Sequence, residues 1–167
     1  MDTVKLVKDA GRILNINTIT TLNSLNYKIA IETKTGDGEI INGFIPAALY
    51  IGRLSSRKGF NGVTKEEQAS VYQWLEYCLL HANQQDIRQV LKELDFSLKD
   101  KVYFVGNQLT VADLFFYLTL HETYSKLSFQ DKELYFNLSR WFRQVQNEAC
   151  AHELYPKISF AKTRMYH

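Results

Sequence analysis

Asp113 is the single charge in a very apolar stretch of the chain, VGNQLTVADLFFYLTLH at 105–121. A buried carboxylate without partners is costly, so it must serve either chemistry or structure. Thr110, three residues earlier, has the spacing of an N-terminal capping box, in which each side chain bonds the backbone N–H of the other. Leu109 and Leu114 then form a hydrophobic staple across the box. No catalytic partner lies nearby in sequence, so this spacing favours a structural role over that of a catalytic acid.

Other residues with chemical potential lack the partners that a site needs. His-Glu pairs at 121–122 and 152–153 begin like the zinc motif HExxH, but neither has its second histidine. Gly36-Asp37-Gly38 joins two β-prone runs and opens no helix, which indicates a hairpin turn and not a phosphate loop. Cys78 lies in an apolar helical context, and Cys150 belongs to no CxxC motif. We therefore expect no catalytic residue, no metal and no cofactor.

The hydrophobic period changes along the chain. After a short amphipathic helix, β-prone runs predict a hairpin, and beyond a candidate linker at 55–62 the helical period dominates. The predicted elements are a helix over 3–14, a loop over 15–26, strands over 27–33 and 39–42, and helices over 44–54, 64–82, 86–100, from about 110, and over 128–147.

Composition excludes several classes of protein. The 167 residues are 46% hydrophobic with a net charge of +2, which predicts a packed core and argues against disorder or nucleic-acid binding through bulk charge. No apolar run reaches the ~20 residues of a membrane span, and charges near the N-terminus argue against a signal peptide. We expect a location in the cytoplasm, with the nucleus as a second location. Lys157, Lys162 and Arg164 form either a solvated tail or a tRNA contact, so any nucleic-acid binding is at most indirect.

The string GNQLTVAD at 106–113, opening a buried helix, resembles the start of the central helix in the glutathione-transferase fold. This resemblance implies an α+β protein, with a truncated thioredoxin-like part at 1–57 and an all-α glutathione-transferase C-terminal-like domain at 64–167. Only 26 residues precede the hairpin, too few for the family's first strand–helix–strand unit. Asn42-Gly43-Phe44 stands where the family has a Glu/Gln-Ser pair that contacts the γ-glutamyl group. We therefore expect that the chain is not an enzyme, with a divergent glutathione transferase as the alternative.

Four further strings are specific in combination: KEEQASVYQWLEY at 65–77, LKDKVYFVGNQLTVADLFFYLTLH at 98–121, LSRWF at 138–142 and FAKTRMY at 160–166. Together they resemble the elongation factor one epsilon family, also called the third synthetase-complex-interacting multifunctional protein. This closer resemblance implies a non-catalytic scaffold of the multi-aminoacyl-tRNA synthetase complex that docks the glutathione-transferase-like domains of methionyl- and glutamyl-prolyl-tRNA synthetases. A further alternative is a subunit of an elongation-factor-one assembly.

Three surface positions are candidates for partner binding. Trp141 and Phe142 are expected in the core, so Arg140 points elsewhere on the same helix. The family resemblance implies that this helix docks a partner helix through such an arginine, whereas on a solvated face Arg140 would add little to stability. Ala69 and Gln73 are four residues apart and share a helix face, which suits either close packing of another helix or a plain polar edge.

Overall fold

A computed structural model defines the architecture over residues 2–16, 19–23, 28–32, 38–81, 86–149, 151 and 154–160. Helices dominate this part of the chain, and one small sheet lies near its beginning. The elements are α1 Thr3–Ile13, β1 Ile19–Asn23, β2 Lys28–Glu32, β3 Gly38–Asn42, α2 Phe44–Leu54, α3 Lys65–His81, α4 Ile87–Ser97, α5 Val111–Ser125, α6 Phe129–Leu134 and α7 Phe136–Glu148.

The sheet is an antiparallel meander in the order β1-β2-β3. Both strands of the predicted hairpin are present, and the tip of its turn, Gly36-Asp37, lies outside the described residues. The prediction of a loop over 15–26 is wrong, because Ile19–Asn23 pairs with β2. The Asn- and Thr-rich composition suggested a loop, but Thr is β-branched and suits a strand once a neighbouring strand offers hydrogen bonds.

The helices agree with the predicted ones, with one exception. The predicted helix over 128–147 is divided at Tyr135, whose φ of −101° and ψ of 61° are not helical. The Asp95 carboxylate of α4 accepts a hydrogen bond from the backbone N–H of Leu138, 2.9 Å away, and so satisfies a donor at the start of α7. This bond across 43 residues explains why a new helix begins at Phe136.

α5 is the central helix, as its apolar sequence predicts, and it is buried on nearly all sides. Both α1 and α2 pack on it, and so do α3 and α7, so one hydrophobic cluster joins the early and late parts of the chain. Phe60, inside the candidate linker, is 2% exposed, and its carbonyl accepts the N–H of Val111 at 2.8 Å. The domain ranges 1–57 and 64–167 stay a prediction. None of the described helices has the length and apolar character that a bilayer crossing requires.

Candidate interaction surfaces

The Asp113 side chain is fully buried at the start of α5, and four donors surround it. The structure contains the capping box with Thr110, whose N–H lies 2.9 Å from Asp113 Oδ2 and whose hydroxyl lies 2.6 Å from the same oxygen. Asp113 Oδ1 accepts from the backbone N–H of Phe104 at 3.0 Å and from the indole N–H of Trp141 at 2.9 Å. The carboxylate therefore joins three segments: the N-terminus of α5, the loop before it, and α7.

Burial raises the pKa of the Asp113 carboxyl, and the hydrogen bonds from Thr110, Phe104 and Trp141 act in the opposite direction. Each carboxylate oxygen already accepts two hydrogen bonds, and the group has no contact with solvent. The Asp113 carboxylate is therefore not accessible to a substrate. This arrangement suits a fixed structural acceptor.

Arg140 lies on the exposed side of α7, and its guanidinium is partly engaged within the chain. Its Nη2 donates to the carbonyl oxygens of Leu98 and Lys101, both at 2.7 Å. Within the described part of the chain, Nη1 and Nε have no recorded acceptor. The sequence alone did not predict these two bonds, since the acceptors lie 42 and 39 residues away.

The loop between α4 and α5 is therefore fixed from two sides. Arg140 binds its carbonyls from the exposed side, and Asp113 binds the N–H of Phe104 from the core. The hydroxyl of Tyr103 donates to the carboxylate of Glu148 at the end of α7. Burial and the bond to Glu148 raise the pKa of Tyr103 to about 12. Residues 98–106 thus connect the core with the exposed side of α7 through hydrogen bonds.

The other two candidate residues, Ala69 and Gln73, are both exposed on α3. Gln73 lines a groove of about 400 Å³ together with Trp74, Tyr77 and Lys101. Lys101 also offers its carbonyl to Arg140, so the loop at 98–106 connects this groove with α7. The structure places Ala69 and Gln73 about one turn apart on α3, as their spacing predicts. Within the described residues no hydrogen bond joins either of them to Arg140 on α7.

The segment Asn42-Gly43-Phe44, where the family resemblance implies a glutathione contact, contains a core aromatic residue. Phe44 is 6% exposed, and its ring packs edge-on against Phe115 with 5.0 Å between the ring centroids. Gly43 before it is the N-cap of α2 and has a φ of +94°, which favours glycine.

The residues considered for metal binding have other roles where the structure describes them. His121 is 5% exposed, and its Nε2 lies 2.9 Å from the carbonyl of Pro156. Cys78 is buried beside Thr119, and burial raises the pKa of its thiol to about 12, which keeps it unreactive at neutral pH. Within the described ranges no three His, Cys, Asp or Glu side chains cluster as metal ligands would. The second His-Glu pair, at 152–153, lies outside those ranges.

Two tertiary contacts had no signal in the local sequence. Arg57, in the candidate linker, donates to the carbonyl of Glu148 at 2.8 Å, where its charge also suits the negative end of α7. Tyr155 donates from its hydroxyl to Asp9 of α1 at 2.7 Å. The first bond attaches the candidate linker to the end of α7, and the second attaches α1 to the last part of the described chain. In the basic tail, Lys157 donates to Asn147, whereas Lys162 and Arg164 lie outside the described residues.

Comparison with known proteins places these features in a family. Residues 67–149 match a family model described as nuclear-export cofactor Arc1p. A solved glutathione S-transferase-like protein of Lodderomyces elongisporus has a TM-score of 0.69 at 13% identity, over 97% of this chain and 93% of that one, which shows the fold. The expected α+β glutathione-transferase-like fold is confirmed.

Sequence relatives give a more specific assignment. A segment of 96 residues, 56% of this chain and 6% of the relative, is 30% identical to the bifunctional glutamate/proline–tRNA ligase of Mus musculus. Over 137 residues the chain is 35% identical to human eukaryotic translation elongation factor 1 epsilon-1, covering 80% of this chain and 79% of that protein. The chain belongs to the eukaryotic translation elongation factor 1 epsilon-1 family.

Proposed function

We propose that the chain is a non-catalytic adaptor of the translation machinery that docks the glutathione-transferase-like domains of glutamyl-prolyl- and methionyl-tRNA synthetases. Family membership supports the association with translation, and the ligase match supports a synthetase as partner. Since the matched ligase segment is similar to this chain, such a partner would present comparable helices for docking. The choice of methionyl-tRNA synthetase rests on the sequence resemblance alone.

The observation that carries the docking proposal is the geometry of Arg140. Its guanidinium is held on one edge by two carbonyls, at 2.7 Å each, while the side chain stays exposed. A guanidinium that is already fixed loses less conformational freedom when it pairs with a partner. A carboxylate on an approaching helix would complete a charge-assisted pair with the donors that remain.

Ala69 and Gln73 supply the second proposed surface. Both are exposed, and the small Ala69 side chain permits close approach of another helix beside the amide of Gln73. Simultaneous docking at α3 and α7 would hold two synthetases near each other and raise their effective concentration.

The non-catalytic part of the proposal is supported by Phe44. In the segment where the family resemblance implies a Glu/Gln-Ser pair, Gly43 has no side chain and the Phe44 ring is buried against Phe115, so neither offers a hydroxyl for a γ-glutamyl group. We expect calorimetric titration with glutathione to give no binding heat and conjugation of a dinitrobenzene substrate to give no turnover. Binding at micromolar concentrations would instead support a divergent transferase.

Co-precipitation with both synthetases tests the two surfaces separately. Arg140→Glu should remove one partner by repelling its carboxylate, and Ala69→Arg should remove the other by steric conflict. Lys8→Glu reverses an exposed charge on α1 and should retain both, so it is the matched control. If Arg140→Glu still captured both synthetases at the level of the unmodified chain, the two-surface proposal would be wrong.

A second candidate function is a subunit of an elongation-factor-one assembly, because the similar proteins carry that name. The same capture with purified elongation-factor-one subunits distinguishes the two. Retention of those subunits in place of the synthetases would favour the second candidate.

A further inference from the structure

Residues 154–160 form no helix or strand, yet buried polar side chains of three helices bind this segment. We call it the strap, and the surface of α1, α5 and α7 beneath it the strap groove. Six polar or charged residues are buried in the described part of the chain, and Asp9, His121 and Gln146 are three of them. Each of these three bonds to the strap. The strap groove therefore contains the polar groups that specific recognition of a bound segment requires.

Three of the bonds in the strap groove recognise the main chain of the strap. The side-chain amide of Gln146 accepts from the N–H of Ile158 at 3.0 Å and donates to the Ile158 carbonyl at 3.2 Å. Nε2 of His121 donates to the carbonyl of Pro156 at 2.9 Å. Main-chain groups of this kind are present in every residue other than proline, which lacks only the N–H. These bonds would therefore hold another segment that has the same backbone shape.

The side chains of the strap show which sequence fits the groove. The Tyr155 hydroxyl donates to Asp9 at 2.7 Å. Ile158 is 7% exposed and belongs to the hydrophobic core. The ring of Phe160 packs near that of Tyr124, with 6.2 Å between the ring centroids. The groove thus selects a tyrosine, an aliphatic residue three positions later, and an aromatic residue two positions beyond that.

The strap is connected to α7 by a turn and belongs to no described helix. In this turn the carbonyl of Ala151 accepts the N–H groups of Leu154 and Tyr155, at 3.1 and 2.9 Å. Release of the strap would leave the backbone bonds within α1, α5 and α7 in place. A short connection holds the strap beside its groove at an effective concentration on the order of millimolar. Any other segment must compete with this internal occupant.

We propose that the strap groove is a peptide-binding site that accepts a segment of another protein, with the strap as its internal competitor. The chemistry of that segment is the chemistry of the strap: a tyrosine, then an aliphatic and an aromatic residue at the spacing of Tyr155, Ile158 and Phe160. A second copy of this chain has the same segment, but the turn at Ala151 folds each strap back onto its own helices. The inference does not depend on synthetase docking.

Fluorescence anisotropy with a peptide of the strap's own sequence tests the proposal on the full chain. The probe is labelled ELYPKISFAK, residues 153–162. The unmodified chain should bind it weakly, because the strap already occupies the groove. Ile158→Ser in the chain weakens this competitor by removing a buried aliphatic side chain, so the peptide should bind at least about tenfold more tightly. A strap with a purely structural role would give no such gain.

Further variants locate the binding in the strap groove. Gln146→Leu, combined with Ile158→Ser, removes two of the main-chain bonds and should abolish the gain. Leu154→Ser is the matched control, because Leu154 is a 39% exposed strap residue and its loss should leave peptide binding weak. Circular dichroism verifies that each variant is folded. If Ile158→Ser does not fold, Phe160→Ser weakens the strap at a partly buried position and replaces it in the test.

Two results would overturn the proposal. One is equal binding of the peptide to the unmodified chain and to Ile158→Ser, and the other is an undiminished gain when Gln146→Leu is added. A dimer of the unmodified chain in sedimentation analysis that Ile158→Ser dissociates would show that a second copy supplies the segment, in place of another protein.

Discussion

The loop at 98–106 is held by two charged residues that act in opposite settings. On the core side, Asp113 has no solvent contact and four hydrogen-bond donors. On the exposed side, Arg140 uses one nitrogen for two carbonyls and remains in contact with water. A buried charge must be satisfied completely within the chain, whereas an exposed one retains capacity for a partner. We therefore expect loss of Asp113 to weaken the fold and loss of Arg140 to weaken binding.

The largest effect on stability should come from Asp113→Ala. The change leaves the N–H of Phe104 and the indole N–H of Trp141 buried without an acceptor, in addition to the loss of the cap. We expect the free energy of unfolding to fall by on the order of 3–4 kcal/mol, more than a cap alone contributes. Urea unfolding measures it. A loss below about 1 kcal/mol would mean that the four bonds do not act together.

Arg140→Ala should instead act mainly on binding. Truncation of a paired arginine at an interface typically costs about 2 kcal/mol or more, so affinity for the synthetase domain should fall at least about thirtyfold. The sequence alone predicts an unchanged thermal melt, because an exposed arginine contributes little. The two carbonyl bonds change that expectation to a modest loss of up to about 1 kcal/mol, since exposed carbonyls can bond water instead.

Two measurements on Arg140→Ala check that the effect is mainly on binding. A titration with the synthetase domain gives the affinity, and a thermal melt gives the stability. Arg140→Lys keeps the charge but not the planar fork, so it should recover part of the affinity at most. If Arg140→Ala reduced stability as much as Asp113→Ala while leaving affinity unchanged, the contrast between the two sides of the loop would be wrong.

Thr110→Ala should have an intermediate effect on stability, and it sharpens the assignment of the box. Removal of the cap should cost about 1–2 kcal/mol. Combined with Asp113→Ala, the total loss should be smaller than the sum, because both residues belong to one network. Leu114 and the remaining helix are the same in the single and double variants. If urea unfolding gave strictly additive losses of unfolding free energy, Thr110 and Asp113 would act independently.

The sequence could predict those features whose interacting residues lie close together along the chain. The Thr110–Asp113 spacing is local, and α5 begins where that spacing indicates. The bounds of α2 also follow from local pattern, with Gly43 before the helix and Pro46 in its first turn. Within such segments the side chains that determine the structure lie a few residues apart, so the local sequence pattern is enough to predict where a helix begins and ends.

Interactions across the chain were not accessible in this way. The bond from Trp141 to Asp113 spans 28 residues, and the one from Leu138 to Asp95 spans 43. The break at Tyr135 and the partial engagement of Arg140 both result from such contacts. β1 was missed for the same reason, since its strand character depends on pairing with β2. An amphipathic pattern shows which face is exposed, but not which distant groups an exposed side chain will meet.

The smallest expected effect concerns Tyr117, whose hydroxyl is buried in α5 with no hydrogen-bond partner recorded among the described residues. Tyr117→Phe removes an unsatisfied polar group, so the free energy of unfolding at neutral pH should stay unchanged or rise by up to about 1 kcal/mol. Tyr124→Phe is the matched control: its hydroxyl lies 2.7 Å from the Ser139 hydroxyl, and its loss should cost about 1 kcal/mol. A loss in Tyr117→Phe as large as in Tyr124→Phe would show that the Tyr117 hydroxyl has a partner.

The pH dependence of stability at alkaline pH also distinguishes the buried Tyr117 hydroxyl from an exposed one. Burial raises the pKa of Tyr117 from 10.0 to about 12, so between these values the unfolded chain has lost the proton while the native chain keeps it. The unfolded state binds fewer protons in this window, and the free energy of unfolding therefore falls as pH rises from about 10 to about 12. Because Phe does not titrate, Tyr117→Phe should reduce this loss, as urea unfolding at pH values across the window would measure. If the free energy of unfolding fell equally steeply with pH in the variant and the unmodified chain, Tyr117 would have the same pKa in the folded and unfolded states. The core near Asp113 would then be more open to water than the contrast with the exposed Arg140 requires.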